Sequence, residues 1–195
     1  RLEDHDNLVH LLDREVSLMV HWQYYIAGRL LELFNRKEAA IGCYQATLKL
    51  EPGLHRAQNR LAYVLASLGR FAQAAEHFQA VVRADPGNAV AHFNQGFVFD
   101  KCGRREEALS AFREATRLNP TIDRAWYGLG LSLAALHRHD EAAKALHEAA
   151  TLQPMNPHAW YQLGMAYHTL HQAEKVDEVV MHLLRFDPKM TRRLI

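Results

Sequence analysis

Cysteine is nearly absent from this chain: Cys43 and Cys102 are the only two in 195 residues. Two thiols cannot build the dense disulfide framework of a small secreted domain, so a reducing compartment, the cytoplasm, is the expected location. No run of 18 apolar residues occurs, which gives no basis for a membrane-spanning helix. The first twenty residues carry Glu3, Asp4, Asp6, Asp13 and Glu15, a pattern unlike a secretory signal, and a soluble chain is expected. Neither sign of charge is in excess, with 23 Lys and Arg against 22 Asp and Glu, so the balance offers no attraction to nucleic acid or an anionic membrane. A protein is the more natural partner. Proline is scarce as well, six in all, yet Pro52, Pro86, Pro120, Pro154 and Pro188 recur at one fixed interval.

That interval organises the sequence. Trp126, Leu129, Gly130, Leu133, Ala142, Leu146, Ala149 and Pro154 are matched one period later by Trp160, Leu163, Gly164, Tyr167, Val176, Val180, Leu183 and Pro188. One period earlier stand His92, Gln95, Gly96, Phe99, Ala108, Phe112, Ala115 and Pro120. Before them come Gln58, Leu61, Ala62, Leu65, Ala74, Phe78, Val81 and Pro86, then Tyr24, Ala27, Gly28, Leu31, Ala40, Tyr44, Thr47 and Pro52. Spacing and residue types resemble the tetratricopeptide signature W-x2-L-G-x2-Y, A-x3-F and P, with its period of about 34 residues. The resemblance covers residues 21–190 as five units without insertion, at 21–54, 55–88, 89–122, 123–156 and 157–190. It implies an all-α fold, a right-handed α-solenoid of antiparallel helix pairs forming one domain in which each unit touches only its neighbours. In such an array Cys43 and Cys102, in the first and third units, lie too far apart for a disulfide.

Within each unit the first helix carries the Trp, Leu, Gly and Tyr positions and the second the Ala, Phe and Ala positions. Glycine inside a helix costs about 1 kcal/mol against alanine. At Gly28, Gly96, Gly130 and Gly164, and at Ala62, a small residue is explained by close approach of the unit's second helix. First helices are expected to end near Gly69 and Gly103, where glycine supplies the left-handed residue after the helix, and at Asn35, His137 and His171, of which only asparagine is at ease there. Second helices are expected to stop at Glu51, Asp85, Asn119, Gln153 and Asp187, because a residue before proline is pushed out of the α region. Asn156-Pro157 reads as a cap followed by proline at the first helical position.

The two ends fall outside the register. Leu8, Leu12, Val16 and Met19 recur at helical spacing, so residues 1–20 read as an N-terminal capping helix from about Asn7, either separate or running unbroken into the first repeat helix. With it the array counts eleven helices. The last second helix carries Val176, Val179, Val180, Leu183, Leu184 and Phe186, more than one unit can bury. Residues 191–195 are therefore read as the start of a C-terminal capping helix, and a homodimer through the terminal repeat is the alternative cover.

No catalytic constellation can be assembled. Gly128, Gly130 and Ser132 lie inside a helical pattern and follow no strand, unlike a phosphate loop. His147-Glu148 lacks the second histidine of a zinc-protease helix, and no G-x-S-x-G elbow occurs. Of the thirteen histidines, His137, His139, His168 and His171 could gather at one edge of the last two units, but no carboxylate or cysteine completes a ligand spacing. Neither enzyme activity, cofactor nor metal is expected.

What the resemblance does imply is a concave groove lined by the first helices. Its fifth unit position is Tyr25, Asn59, Phe93, Tyr127 and Tyr161, and its ninth is Arg29, Tyr63, Phe97, Leu131 and Met165, where the family often places a polar residue. Arg56, Arg60, Lys101 and Arg124 join Arg29 at groove positions against Glu32 and Asp100, and Asn94 completes the candidate site. Apolar side chains beside net positive charge suit a protein or peptide ligand with acidic or C-terminal carboxylate groups. The family's carboxylate clamp is matched by Asn94 and Arg124, whereas Asn59, Tyr63 and Gly128 depart from it. The expected function is a non-catalytic adaptor, scaffold or co-chaperone. A targeting module of a larger enzyme and a self-assembling scaffold are the competing readings.

Overall fold

Residues 19–194 are described by a computed structural model, and among them helices follow one another with no strand. The first, α1, runs over residues 19–33 and is already helical where the described residues begin, so the N-terminal helix expected from Asn7 lies largely outside them. After it come α2 (Lys37–Leu50), α3 (His55–Ser67), α4 (Phe71–Ala84), α5 (Ala89–Lys101), α6 (Arg105–Leu118), α7 (Asp123–Ala135), α8 (His139–Leu152), α9 (Pro157–Thr169), α10 (Ala173–Leu184) and the single turn α11 (Pro188–Thr191).

Local chemistry sets the ends of these helices. Glu51, Asp85, Asn119 and Gln153, each ahead of a proline, are extended at φ between −131° and −142°, which stops α2, α4, α6 and α8. The turns after α1, α3, α5, α7 and α9 each hold one left-handed residue: Asn35, Gly69, Gly103, His137 and His171, at φ of 56–76°. Two histidines thus occupy a conformation that costs an ordinary residue roughly 1–2 kcal/mol. Asn156 accepts a hydrogen bond from the His158 amide, with Pro157 opening α9 as its missing N–H allows.

The chain divides into two compact units, residues 1–85 and 86–195. In each, consecutive helices pack as antiparallel pairs, and adjacent pairs stack as in an α-solenoid. The first unit holds α1 to α4. The aromatic ring of Tyr44 on α2 sits so close to Gly28 on α1 that a Cβ there would lie 2.8 Å from it. The second unit repeats this device, Phe112 on α6 against Gly96 on α5 and Leu146 on α8 against Gly130 on α7, where a Cβ would lie 2.8 and 2.5 Å away. Glycine is needed because the facing side chain occupies the volume a methyl group would take.

The last pair departs from the pattern. Gly164 on α9 faces Leu194, 2.5 Å from where its Cβ would stand, and no side chain of α10 comes so near. Leu194 and Met190 are buried in one core cluster with Leu163, Val179 and Leu183, so the chain's own last residues occupy the slot that a second-helix side chain fills in earlier units. Met181 and Leu184, on the far side of α10, stay exposed.

A second recurrent contact explains the tryptophan of the repeat. Trp126 Nε1 donates to the carbonyl of Pro120 at 2.8 Å and Trp160 Nε1 to that of Pro154 at 2.9 Å. His92 Nε2 reaches the Pro86 carbonyl at 3.0 Å and Gln58 Nε2 the Pro52 carbonyl at 3.4 Å. Indole, imidazole and amide share one property here, an N–H at the right reach to pin the prolyl loop that opens the unit.

Candidate functional site

Of the residues expected to line a groove, Phe93, Asn94 and Phe97 stand on α5, Arg124, Tyr127 and Leu131 on α7, and Tyr161 and Met165 on α9. The three helices are neighbours within the second unit. Tyr25 and Arg29 on α1, with Arg56, Asn59, Arg60 and Tyr63 on α3, belong to the first unit and form a surface of their own.

In the second unit the fifth position is occupied by half-buried rings, Phe93, Tyr127 and Tyr161. Burial raises the pKa of the Tyr127 hydroxyl above its ordinary value, so the group is neutral across the physiological range. Cations lie over the other two rings. The Arg124 guanidinium is 5.4 Å from the Phe93 centroid and that of Arg193 is 5.4 Å from the Tyr161 centroid. Such pairing is attractive through the ring quadrupole and holds each guanidinium beside the surface without neutralising it. Neither arginine has a carboxylate partner among the described residues. The ninth position carries the apolar stripe: Phe97 and Met165 are 40% and 39% exposed, and Leu131 between them is half-buried. Lys101 lies 5.5 Å from the Phe97 ring and pairs with Asp100 at 3.7 Å.

Gly128 explains one departure from the family's clamp. Where that clamp needs a basic side chain, the Phe112 ring comes within 2.6 Å of the position a Cβ would take, so the space belongs to the core. Phe112 is held between Gly96 and Gly128, and its ring meets Phe93 at 6.1 Å between centroids.

The first unit is organised around an ion pair. Arg60 donates through Nε to Glu32 Oε1 at 3.0 Å and through its second nitrogen to Oε2, and the Tyr44 hydroxyl donates to the same carboxylate. Burial alone would weaken the Arg60 charge, but its hydrogen bonds to Glu32 more than offset this and raise the guanidinium pKa. Burial, reinforced by the hydrogen bond to Glu32, likewise raises the pKa of the Tyr44 hydroxyl. Arg60 is therefore committed to the fold and, lying 5.2 Å from the Tyr63 ring, supports it from one side. Tyr63 itself is 56% exposed, and Arg29, Arg56 and Asn59 are exposed around it, while Tyr25 is half-buried against Tyr44.

Sequence reasoning missed Arg193. It lies beyond the last repeat, where the register that placed every other groove residue has ended, and no sequence signal could have assigned it to Tyr161. The histidines are dispersed: the rings of His137 and His139 touch at 5.9 Å, and His168 and His171 line a shallow hollow with Asp177. No group of three or more potential metal ligands stands together among the described residues, nor is any described helix long and apolar enough to cross a membrane. Cys43 and Cys102 are free thiols.

Comparison with known proteins agrees with this architecture. YrrB, whose structure is described as a TPR protein with an unusual peptide-binding site, superposes with a TM-score of 0.78 at 23% identity over 87% of this chain and 89% of that one. MamA from Desulfovibrio magneticus RS-1 gives 0.76 at 19% identity over 89% and 94%, and pilF of Pseudomonas aeruginosa 0.70 at 19% over 87% and 77%. No curated protein sequence matches. The family profile described as Tetratricopeptide repeat matches residues 27–89, 98–154 and 129–175. With most of its length covered by that profile and its helix pairs packed as they are, the chain belongs to the tetratricopeptide repeat family, whose members are protein–protein interaction modules.

Proposed function

We propose that this chain is a non-catalytic adaptor or scaffold whose second unit binds a short segment of a partner protein across α5, α7 and α9. The observation that carries the reading is the row of Phe97 and Met165, 40% and 39% exposed, with half-buried Leu131 between them, beside Arg124 and Arg193. Apolar side chains anchor a ligand by excluding water, and removing a central anchor costs about 2 kcal/mol or more. The two guanidiniums, held on ring faces, donate to a carboxylate in bidentate fashion and set the ligand's direction. An acidic segment or a chain's C-terminus fits this surface better than a basic one. In this reading the side-chain amide of Asn94, half-buried next to Phe93, bonds the ligand backbone. In the first unit Tyr63, Arg56 and Arg29 offer a second, smaller surface of the same character.

Free thiols without a disulfide are in keeping with work in a reducing compartment, the cytoplasm. A role as the targeting module of a larger enzyme uses the same surface, and the two readings separate on whether the natural partner is a substrate of a neighbouring catalytic domain. The test is selection of short peptides from display libraries with free C-termini and with internal presentation, followed by affinity measurement against Phe97→Ala and Arg124→Ala. Enrichment of acidic, apolar-containing peptides that each substitution weakens about tenfold or more supports the proposal. Peptides bound equally well by the double variant remove the surface from consideration.

A further inference from the structure

Two cations bracket the surface of the second unit. Arg124 rests on Phe93 of α5 and Arg193 on Tyr161 of α9, the outer two of the three helices, and both arginines are exposed. Lys101, beside Phe97, is already paired with Asp100 at 3.7 Å. Helix α9 carries no lysine, arginine, aspartate or glutamate, so the charge at Tyr161 comes entirely from the segment after α11. Neighbouring packed helices lie about 8–10 Å apart, which sets the two arginine-capped rings, two helices apart, roughly 16–20 Å from each other.

Between the rings, the sixth unit position presents Asn94, Gly128 and Gln162. A half-buried carboxamide stands on each outer helix, and in the middle there is no side chain, only the Gly128 backbone over the Phe112 ring. Carboxamides donate and accept, as the free N–H and C=O groups along a strand require, and a glycine lets another backbone come close. A helical ligand has spent those groups on its own hydrogen bonds.

We infer that the segment held across α5, α7 and α9, if that surface is the binding site as proposed above, is an extended strand carrying two acidic side chains about six residues apart. One carboxylate meets Arg124 and the other Arg193, and the side chains between them are apolar and meet the row Phe97, Leu131 and Met165. The spacing follows from the geometry of a strand. An extended chain advances about 3.3 Å per residue and returns its side chains to one face every second residue, so six residues cover about 20 Å and four only about 13 Å. Five and seven residues send the second carboxylate to the opposite face. A terminal carboxylate meets one arginine at most, whereas two internal side chains meet both. Gln162 joins Asn94 as a contact to the strand backbone.

The test uses the full chain and synthetic peptides blocked at both ends, each with apolar residues alternating between two glutamates set four, five, six or seven residues apart. The separation of six should bind about tenfold or more tighter than the other three. Exchanging one glutamate for glutamine should cost as much as Arg124→Gln, and exchanging the other as much as Arg193→Gln. Each matched pair of changes should cost little more than either alone, the sign of direct contact in a double-mutant cycle. Helical circular dichroism should be unchanged, because both arginines are exposed. Equal affinity at five, six and seven residues overturns the inference while leaving the surface in place, as does Arg193→Gln binding like the wild type. So does failure of the whole series to bind a chain that still binds display-selected peptides through Phe97. If peptides of neither kind depend on Phe97, the binding surface falls together with the spacing.

Discussion

Two glycine-to-alanine substitutions on helices of the same array should move stability in opposite directions. Gly42 lies within α2, and a Cβ added there meets nothing within 4 Å. Alanine should therefore contribute its full helix propensity, about 1 kcal/mol, and raise Tm by about 2–4 °C for a chain of this size. Gly130 lies within α7, where the same Cβ would stand 2.5 Å from Leu146 Cγ and 3.3 Å from the Leu146 backbone nitrogen. A γ-carbon and a backbone atom cannot swing aside as the tip of a long side chain does, so α7 and α8 must separate. Overpacking of this kind costs about 1–3 kcal/mol, against which the same propensity gain of about 1 kcal/mol is set. The difference is a net loss of up to about 2 kcal/mol, read as a Tm lowered by up to about 4–8 °C with faster amide exchange in α7 and α8. Because repeat arrays can open unit by unit, hydrogen exchange is the sharper readout and should leave α2 to α4 unaffected. Gly130→Ala as stable as the wild type would refute close packing as the reason for the repeat's glycine.

The left-handed histidines offer a gain. His137→Gly, at φ 59°, should stabilise the chain by about 1 kcal/mol in urea unfolding, since it removes a steric penalty and no hydrogen bond of the side chain. For Tyr44 the expectation is a pH dependence. Its folded pKa is raised, so the unfolded chain releases this proton first, and the stability it contributes is complete below about pH 10 and lost as pH rises further. Thermal melts from neutral to strongly alkaline pH should show this decline, and Tyr44→Phe should flatten it while lowering stability at neutral pH through the lost bond to Glu32.

The repeat was legible because packing makes the same demand at Gly28, Gly96 and Gly130, a small residue on the first helix opposite a large side chain on the second, whereas Gly164 is met by Leu194 instead. Prolines and left-handed residues marked the helix ends for equally local reasons, which is why Asn35, His137 and His171 could be placed as readily as Gly69 and Gly103. Charge in the site was harder to read. Arg60 sits at a groove position, yet Glu32 and Tyr44, distant in sequence, bind it to the core. Gly128 reads as a missing clamp residue until the Phe112 ring is seen filling its place. The surplus of apolar side chains on α10 called for a cover from residues 191–195, but those residues lie outside the register, so nothing in the sequence assigned Leu194 to Gly164 or Arg193 to Tyr161.

The central claim is that partner segments lie along α5, α7 and α9, and an amide chemical-shift map of the chain titrated with the selected acidic peptide tests it most directly. The account expects the largest shifts at Phe93, Phe97, Leu131 and Met165 and at the residues around Arg124 and Arg193, all abolished in Phe97→Ala with Arg124→Ala. Shifts gathered on α6 and α8, with those first-helix residues unmoved, would contradict it.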